Sequence, residues 1–161
     1  MIKDPQKNMD FFNLIRQGDI EGVKAALMND AVLLEKKDER GFTPLVMATY
    51  SGHLDLSEFL INTGAQVDAT DSAGNTALIG VAFKGDAGIA VMLLEHGADV
   101  DIQNSLGATA LIYAATYGQP EIAQLVLAVG ADKNIRDQNG KTALDHAESK
   151  GQEGLAGLLK D

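Results

Sequence analysis

Asp38-Glu39-Arg40-Gly41-Phe42-Thr43-Pro44-Leu45 is echoed three times further along the chain, as DSAGNTAL from Asp71, NSLGATAL from Asn104 and DQNGKTAL from Asp137. The glycines inside these phrases, Gly41, Gly74, Gly107 and Gly140, stand 33 residues apart. A second series, Gly52, Gly85, Gly118 and Gly151, keeps the same interval, as do Gly64, Gly97 and Gly130. Self-similarity at such a period marks a repeat architecture, in which each unit buries its apolar face only against its neighbours.

Each unit divides into the same parts. Asp38 to Gly41 reads as a turn, with glycine supplying a conformation that side-chained residues resist. Thr43 then stands as a helix N-cap and Pro44 as the first helical residue, where its missing N–H costs nothing. A short helix to about Ser51 places Leu45 and Ala48 inward, three residues apart. Gly52 breaks it. His53 or Leu54 opens a second helix with Leu56, Phe59 and Leu60 as its apolar stripe. Gly64 ends that helix, and Ala65 to Asp68 lead to the next turn. Helices this short are unstable alone, so stacking must hold them.

This order of turn, Thr-x-Leu helix, glycine, longer helix and Gly-Ala resembles the ankyrin repeat. GFTPL, SGHLDL and LINTGAQVDA carry the resemblance most closely, and residues 38–161 share it. The resemblance implies an all-α solenoid of stacked helix-turn-helix units, with short β-hairpin or turn fingers projecting at right angles. It divides residues 1–161, one domain, into a degenerate capping repeat over 8–37, full repeats over 38–70, 71–103 and 104–136, and a C-terminal capping repeat over 137–161. Gly18 to Gly52 is 34 residues, which puts one extra residue in the NDAVLLEKKD connection. The last repeat carries Asp145, His146 and Glu148 where earlier units are apolar, as a terminal unit with no covering neighbour requires.

Some positions depart from the family pattern. The histidine usual after Thr-Pro-Leu, which ties neighbouring repeats together, is replaced by Val46, Ile79, Ile112 and Asp145. Gly80 and Gly88 weaken the helices of the second full repeat by roughly 1 kcal/mol each relative to alanine. Residues 80–90 are therefore expected to be the least stable segment.

Composition narrows the function classes. The chain has 161 residues, 45% of them hydrophobic, which suits a folded domain with a substantial core. No stretch approaches the roughly 20 apolar residues of a membrane span. MIKDPQKNMDFF lacks the apolar run of a secretory signal, which reads as cytoplasmic, or as periplasmic where a leader has been removed. There are no cysteines, so disulfides, thiolate metal sites and cysteine nucleophiles are excluded. A net charge of −10 repels phosphate backbones and argues against nucleic acid as partner.

Motifs with chemical meaning dissolve into the repeat. Gly140-Lys141-Thr142 ends like a phosphate-binding loop, but Ile135 stands where that motif needs glycine. His53, His96 and His146 lack metal-ligand spacing. His53 opens a helix, His96 suits a helix C-terminus, and His146 is placed near solvent. Asp68, Asp71, Asp99, Asp101, Asp132 and Asp137 recur regularly without forming an oxygen cage. No Ser-His-Asp nucleophile turn is present. The reading is of a chain without catalytic, cofactor or metal residues.

The positions that vary between repeats are the ones free to bind. In ankyrin proteins the finger tips and the exposed side of the first helix line a concave surface. Here they include Glu39, Arg40 and Phe42, Tyr50 and Ser51, Phe83 and Lys84, Leu106, Thr116 and Tyr117, then Lys141 and Lys150. Four of the chain's eight aromatics fall in this set, and aromatics serve as interface anchors. Tyr113 leans inward and is expected to be partial core. The sequence thus points to a monomer that binds another protein through this face. The alternative is an inhibitor or immunity-type protein occluding a basic enzyme.

Overall fold

The computed structural model describes residues 5–160, with side chains from Asp10 onward. The first residues of the segment read for a leader, 1–4, lie outside the described residues. Ten α-helices and one 3₁₀ helix occur among those described, and no strand. They form five pairs: α1 (Pro5–Gln17) with α2 (Ile20–Asn29), α3 (Pro44–Tyr50) with α4 (Leu54–Asn62), and α5 (Ala77–Lys84) with α6 (Ala87–Glu95). The series continues with α7 (Ala110–Thr116) and α8 (Pro120–Ala128), and ends with α9 (Ala143–Ser149) and α10 (Glu153–Leu159).

Packing is nearest-neighbour. The first helices of the pairs line up as α1, α3, α5, α7 and α9, and the second helices from α4 to α10 form a parallel row behind them. The α1 start at Pro5 lies three residues before the boundary read from the sequence. The extra residue of the first connection is absorbed by the 3₁₀ helix Ala31–Glu35, which buries Leu33.

Threonine decides where the short helices start. Thr43, Thr76 and Thr109, all buried, accept through Oγ1 from the N–H of Val46, Ile79 and Ile112 at 3.1, 3.2 and 3.2 Å. A buried donor left without that acceptor would cost about 1–3 kcal/mol. Thr142 repeats the contact with Asp145, whose carboxylate reaches back to the Thr142 N–H, a reciprocal capping box. The core runs the length of the stack. Leu45, Leu78 and Leu111 are each 1% exposed, and Ala48, Val81, Ala114 and Ala147 are fully buried where the short helices meet.

The fingers are turns. Asp38, Asp71, Asn104 and Asp137 each hold their own turn by accepting two backbone N–H groups, such as Arg40 and Phe42 onto Asp38 Oδ1 at 2.9 Å. Adjacent turns are joined by one backbone bond each: Ser72 N–H to Arg40 O, Ser105 N–H to Ala73 O, and Gln138 N–H to Leu106 O. Single bonds of this kind do not make a strand ladder. Gly107, at φ +73°, shows why glycine is needed here, because a Cβ would fall 2.9 Å from the Gln138 nitrogen.

Val46, Ile79 and Ile112 are buried apolar contacts at the positions where the family carries its histidine. Polar ties between repeats come from elsewhere. His53 Nε2 donates to the Arg16 carbonyl at 2.7 Å, and Lys37 Nζ to the Thr70 carbonyl at 2.8 Å. Glu35, Asp68 and Asp101 each accept the backbone N–H of a residue one repeat on: Gln66, Asp99 and Asp132. The recurring carboxylates are thus backbone clamps.

Candidate functional site

The turns and the short helices build one face, and its centre is a cleft between α3 and α7, over α5. Phe42, at the end of its finger, and Tyr50, at the end of α3, form one wall, their ring centroids 5.9 Å apart. Phe83 and Tyr117 meet edge to face at 4.7 Å on the other, and Tyr113 packs against Tyr117 at 5.5 Å in the same manner. Such edge contacts are worth about 0.5–1.5 kcal/mol beyond area burial. Phe83 and Tyr117 remain 41% and 47% exposed, which is unusual for rings in a chain otherwise so thoroughly packed. The space between the walls is about 270 Å³.

Two cations lie on these rings. The Arg40 guanidinium carbon sits 4.5 Å from the Phe42 centroid, and Lys84 Nζ sits 4.8 Å from that of Tyr50. The Arg40 pair with Asp38 is loose at 4.0 Å and exposed on the arginine side, so it contributes little. Lys84 makes no ion pair with the described residues. Both cations are exposed, whereas the nearby Asp38 and Asp71 are largely covered, on a chain of net charge −10.

Beneath the rim runs a polar network that ends on the Asp71 carboxylate. Asn104 Nδ2 donates to Asn75 Oδ1 at 2.8 Å and to the Tyr113 hydroxyl at 3.0 Å, while its Oδ1 holds the turn. Asparagine at this place, where the other turns have aspartate, supplies the donor that a carboxylate lacks. Tyr113 is accordingly a cleft wall with a fixed hydroxyl, half-buried as the sequence suggested but not simply core.

Of the residues singled out from the sequence, Arg40, Phe42, Tyr50, Phe83 and Tyr117 line the cleft, with Lys84 on its rim. Ser51 lies beside it, on a shallow groove between the tops of α3 and α5 that also includes Tyr50 and Lys84. Thr116 is occupied, its hydroxyl donating to the Ile112 carbonyl at 2.8 Å. Glu39 and Leu106 are exposed turn tips, while Lys141 and Lys150 are exposed on the last repeat, away from the cleft lining. Gly80 on the floor escaped the sequence reading as a site residue, although its register held the signal. Met47, Tyr113 and His146 stand at the same place in the other repeats.

The histidines are engaged structurally. His96 Nδ1 donates to the Met92 carbonyl at 2.8 Å. His146, placed near solvent by the sequence reading, has a side chain only 18% exposed and lies 2.7 Å from Asp137 Oδ2. Its position at the inner side of α9 turns it toward the last finger. Burial pushes Asp137 upward, but the His146 bond, the Lys141 and Asn139 amides and the histidine charge outweigh it, leaving its pKa below the ordinary value. Among the described residues no three His, Cys, Asp or Glu side chains converge to hold a metal. No helix among them is long and apolar enough to cross a membrane.

The family described as ankyrin repeats (3 copies) matches residues 11–104 and 79–161. Among curated relatives, the human DNA-binding protein RFXANK is 36% identical over 58 residues, covering 36% of this chain and 22% of its own. The BTB/POZ domain-containing protein 3 of Schizosaccharomyces pombe is 31% identical over 64 residues, covering 40% of this chain and 12% of its own. The chain spans less than a quarter of either relative.

Proposed function

The chain belongs to the ankyrin-repeat family, and from that premise we propose that it is a non-catalytic module binding another protein through the face that carries the aromatic cleft. The observation that supports this most is the gathering of five of the eight aromatics, Phe42, Tyr50, Phe83, Tyr113 and Tyr117, around one opening. Rings left half exposed beside a fully packed core are a standing driving force for association. Ankyrin repeats generally serve protein–protein interaction, and the polar groups of this face are spent on holding turns rather than arranged for chemistry.

A protein that occludes a basic enzyme is the second reading, suggested by net charge. The cleft favours the first, because its centre is built of aromatic rings and its two rim cations, Arg40 and Lys84, would repel a basic target there. The DNA-binding named for the human relative concerns a protein of which this chain matches only a small part.

The test uses affinity capture from the native host with wild-type protein and a Tyr50→Ala, Phe83→Ala, Tyr117→Ala variant as parallel baits. A protein retained by the wild type and lost by the variant, with helical circular dichroism unchanged, supports the assignment. Equal retention by both, or retention by neither, sinks it.

A further inference from the structure

Gly80 is the odd member of its register. The equivalent residues Met47, Tyr113 and His146 each project a side chain from the inner helix. Only at residue 80 is the place empty, midway between the walls formed by Tyr50 and by Phe83 with Tyr117. A Cβ built there would have Tyr50 Cδ2 at 3.8 Å as its nearest neighbour, ordinary contact distance, so neither crowding nor φ requires glycine. Helix propensity opposes it by about 1 kcal/mol. A residue kept small against its helix's interest, where space opens between aromatic walls, marks a receptacle.

The size and the polar fittings of that space limit what enters. At about 270 Å³ it falls just short of the range of small-molecule pockets, roughly 300–1,000 Å³, and suits one side chain inserted from a larger partner. The side walls are aromatic, and Thr49, Asp71, Asn75 and Thr76 add polar groups to the lining. At the mouth the exposed cations are Arg40 and Lys84, both already resting on wall rings, with the largely covered Asp38 4.0 Å from Arg40. The one carboxylate in the lining, Asp71, is engaged: Oδ1 accepts from Ala73 and Asn75 N–H, and Oδ2 from Asn75 Nδ2. The Tyr113 hydroxyl accepts from Asn104, which leaves its own hydrogen without an acceptor among the described residues. A cationic head group would have to displace two resident cations, whereas an acidic one would pair with them.

We propose that the Gly80 cleft receives one aliphatic or aromatic side chain from an extended segment of the partner, with an Asp or Glu beside it meeting Arg40 and Lys84. This rests on the reading that the face binds protein, and it adds the chemistry of the bound segment.

The experiment pans a random linear peptide library against immobilised wild-type protein, then measures a recovered peptide by fluorescence anisotropy. The expected consensus has a single Leu, Ile, Phe or Trp position with Asp or Glu close by. Gly80→Met places in the cleft the side chain that the preceding repeat carries at this register. It should cut affinity by roughly tenfold or more, since an anchor's burial is lost, while the melting temperature does not fall. Arg40→Gln with Lys84→Gln, both on the exposed rim, should weaken binding several-fold and erase most of its salt dependence. A consensus built on Lys or Arg, or peptides bound equally by wild type and Gly80→Met, overturns the cleft assignment. If those peptides still lose binding to the Tyr50, Phe83, Tyr117 triple alanine variant, the face reading survives that loss. Recovery only of peptides indifferent to the triple variant, or of none, overturns both.

Discussion

Replacing Gly80 by alanine should stabilise the protein, which most core substitutions would not. Gly80 is an interior residue of α5, its N–H bonded to the Thr76 carbonyl at 3.1 Å, so the helix is intact around it. The gain has two parts. Alanine loses less backbone freedom than glycine on folding, worth about 1 kcal/mol inside a helix. The new methyl meets Tyr50 at 3.8 Å and stays partly open to the cleft, adding a fraction of the ~0.8 kcal/mol of a fully buried carbon. A total of about 1 kcal/mol corresponds to a rise of roughly 2–4 °C in melting temperature at this chain length. Calorimetry and urea unfolding monitored by circular dichroism read it directly. An unchanged or lowered midpoint, at unchanged m-value, would mean that the space beside Tyr50 is not there, and the receptacle argument would go with it. The same measurement bears on residues 80–90 as the weakest segment, because hydrogen exchange there should slow in the variant.

Two further substitutions probe the fingers. Gly107→Ala and Gly140→Ala both force a side-chained residue into the left-handed region, at φ +73° and +74°, for about 1–2 kcal/mol. The first also drives a Cβ to 2.9 Å from Gln138 N while the second meets open space, so Gly107→Ala should cost about 1 kcal/mol more by urea titration. Equal costs would show that the turn-to-turn contact contributes nothing. Asp137, held below the ordinary aspartate pKa, stabilises the fold above the unfolded-state value. That contribution should fade as pH falls below about 4, through the lowered folded value. Asp137→Asn keeps an acceptor for the turn, as Asn104 does, and should flatten the acid limb of a pH–stability curve. The slope from Asp145, lowered by its Thr142 bonds, remains. An acid limb as steep as that of the wild type would remove Asp137 from the account.

Much of the architecture was legible because it is periodic. Thr-x-Leu caps, finger glycines and helix-ending glycines signal locally, and each fell where the interval placed it. The cleft was half legible. Phe42, Tyr50, Phe83 and Tyr117 stood out as variable positions of a known register, but nothing local told that Phe83 would meet Tyr117 across a repeat. Gly80 read as a weakness in α5 because propensity describes a helix alone, while the space it leaves is a property of three helices. His146 looked solvent-facing because it lies in the terminal repeat among polar residues, yet the turn carrying Asp137 folds back over it. Contacts that join one unit to the next lie beyond any single-repeat pattern.

Where the finger tips meet, the bonds run through main-chain atoms: Arg40 O, Ala73 O and Leu106 O receive Ser72, Ser105 and Gln138 N–H, while a side-chain bond from Asn104 to Asn75 ties two finger bases. Side chains at those tips are therefore spectators to the architecture, and selection can rewrite them one letter at a time without reopening the question of how the chain folds. A protein of this build separates its grammar from its vocabulary, so that a lineage changing its partner need alter only the words.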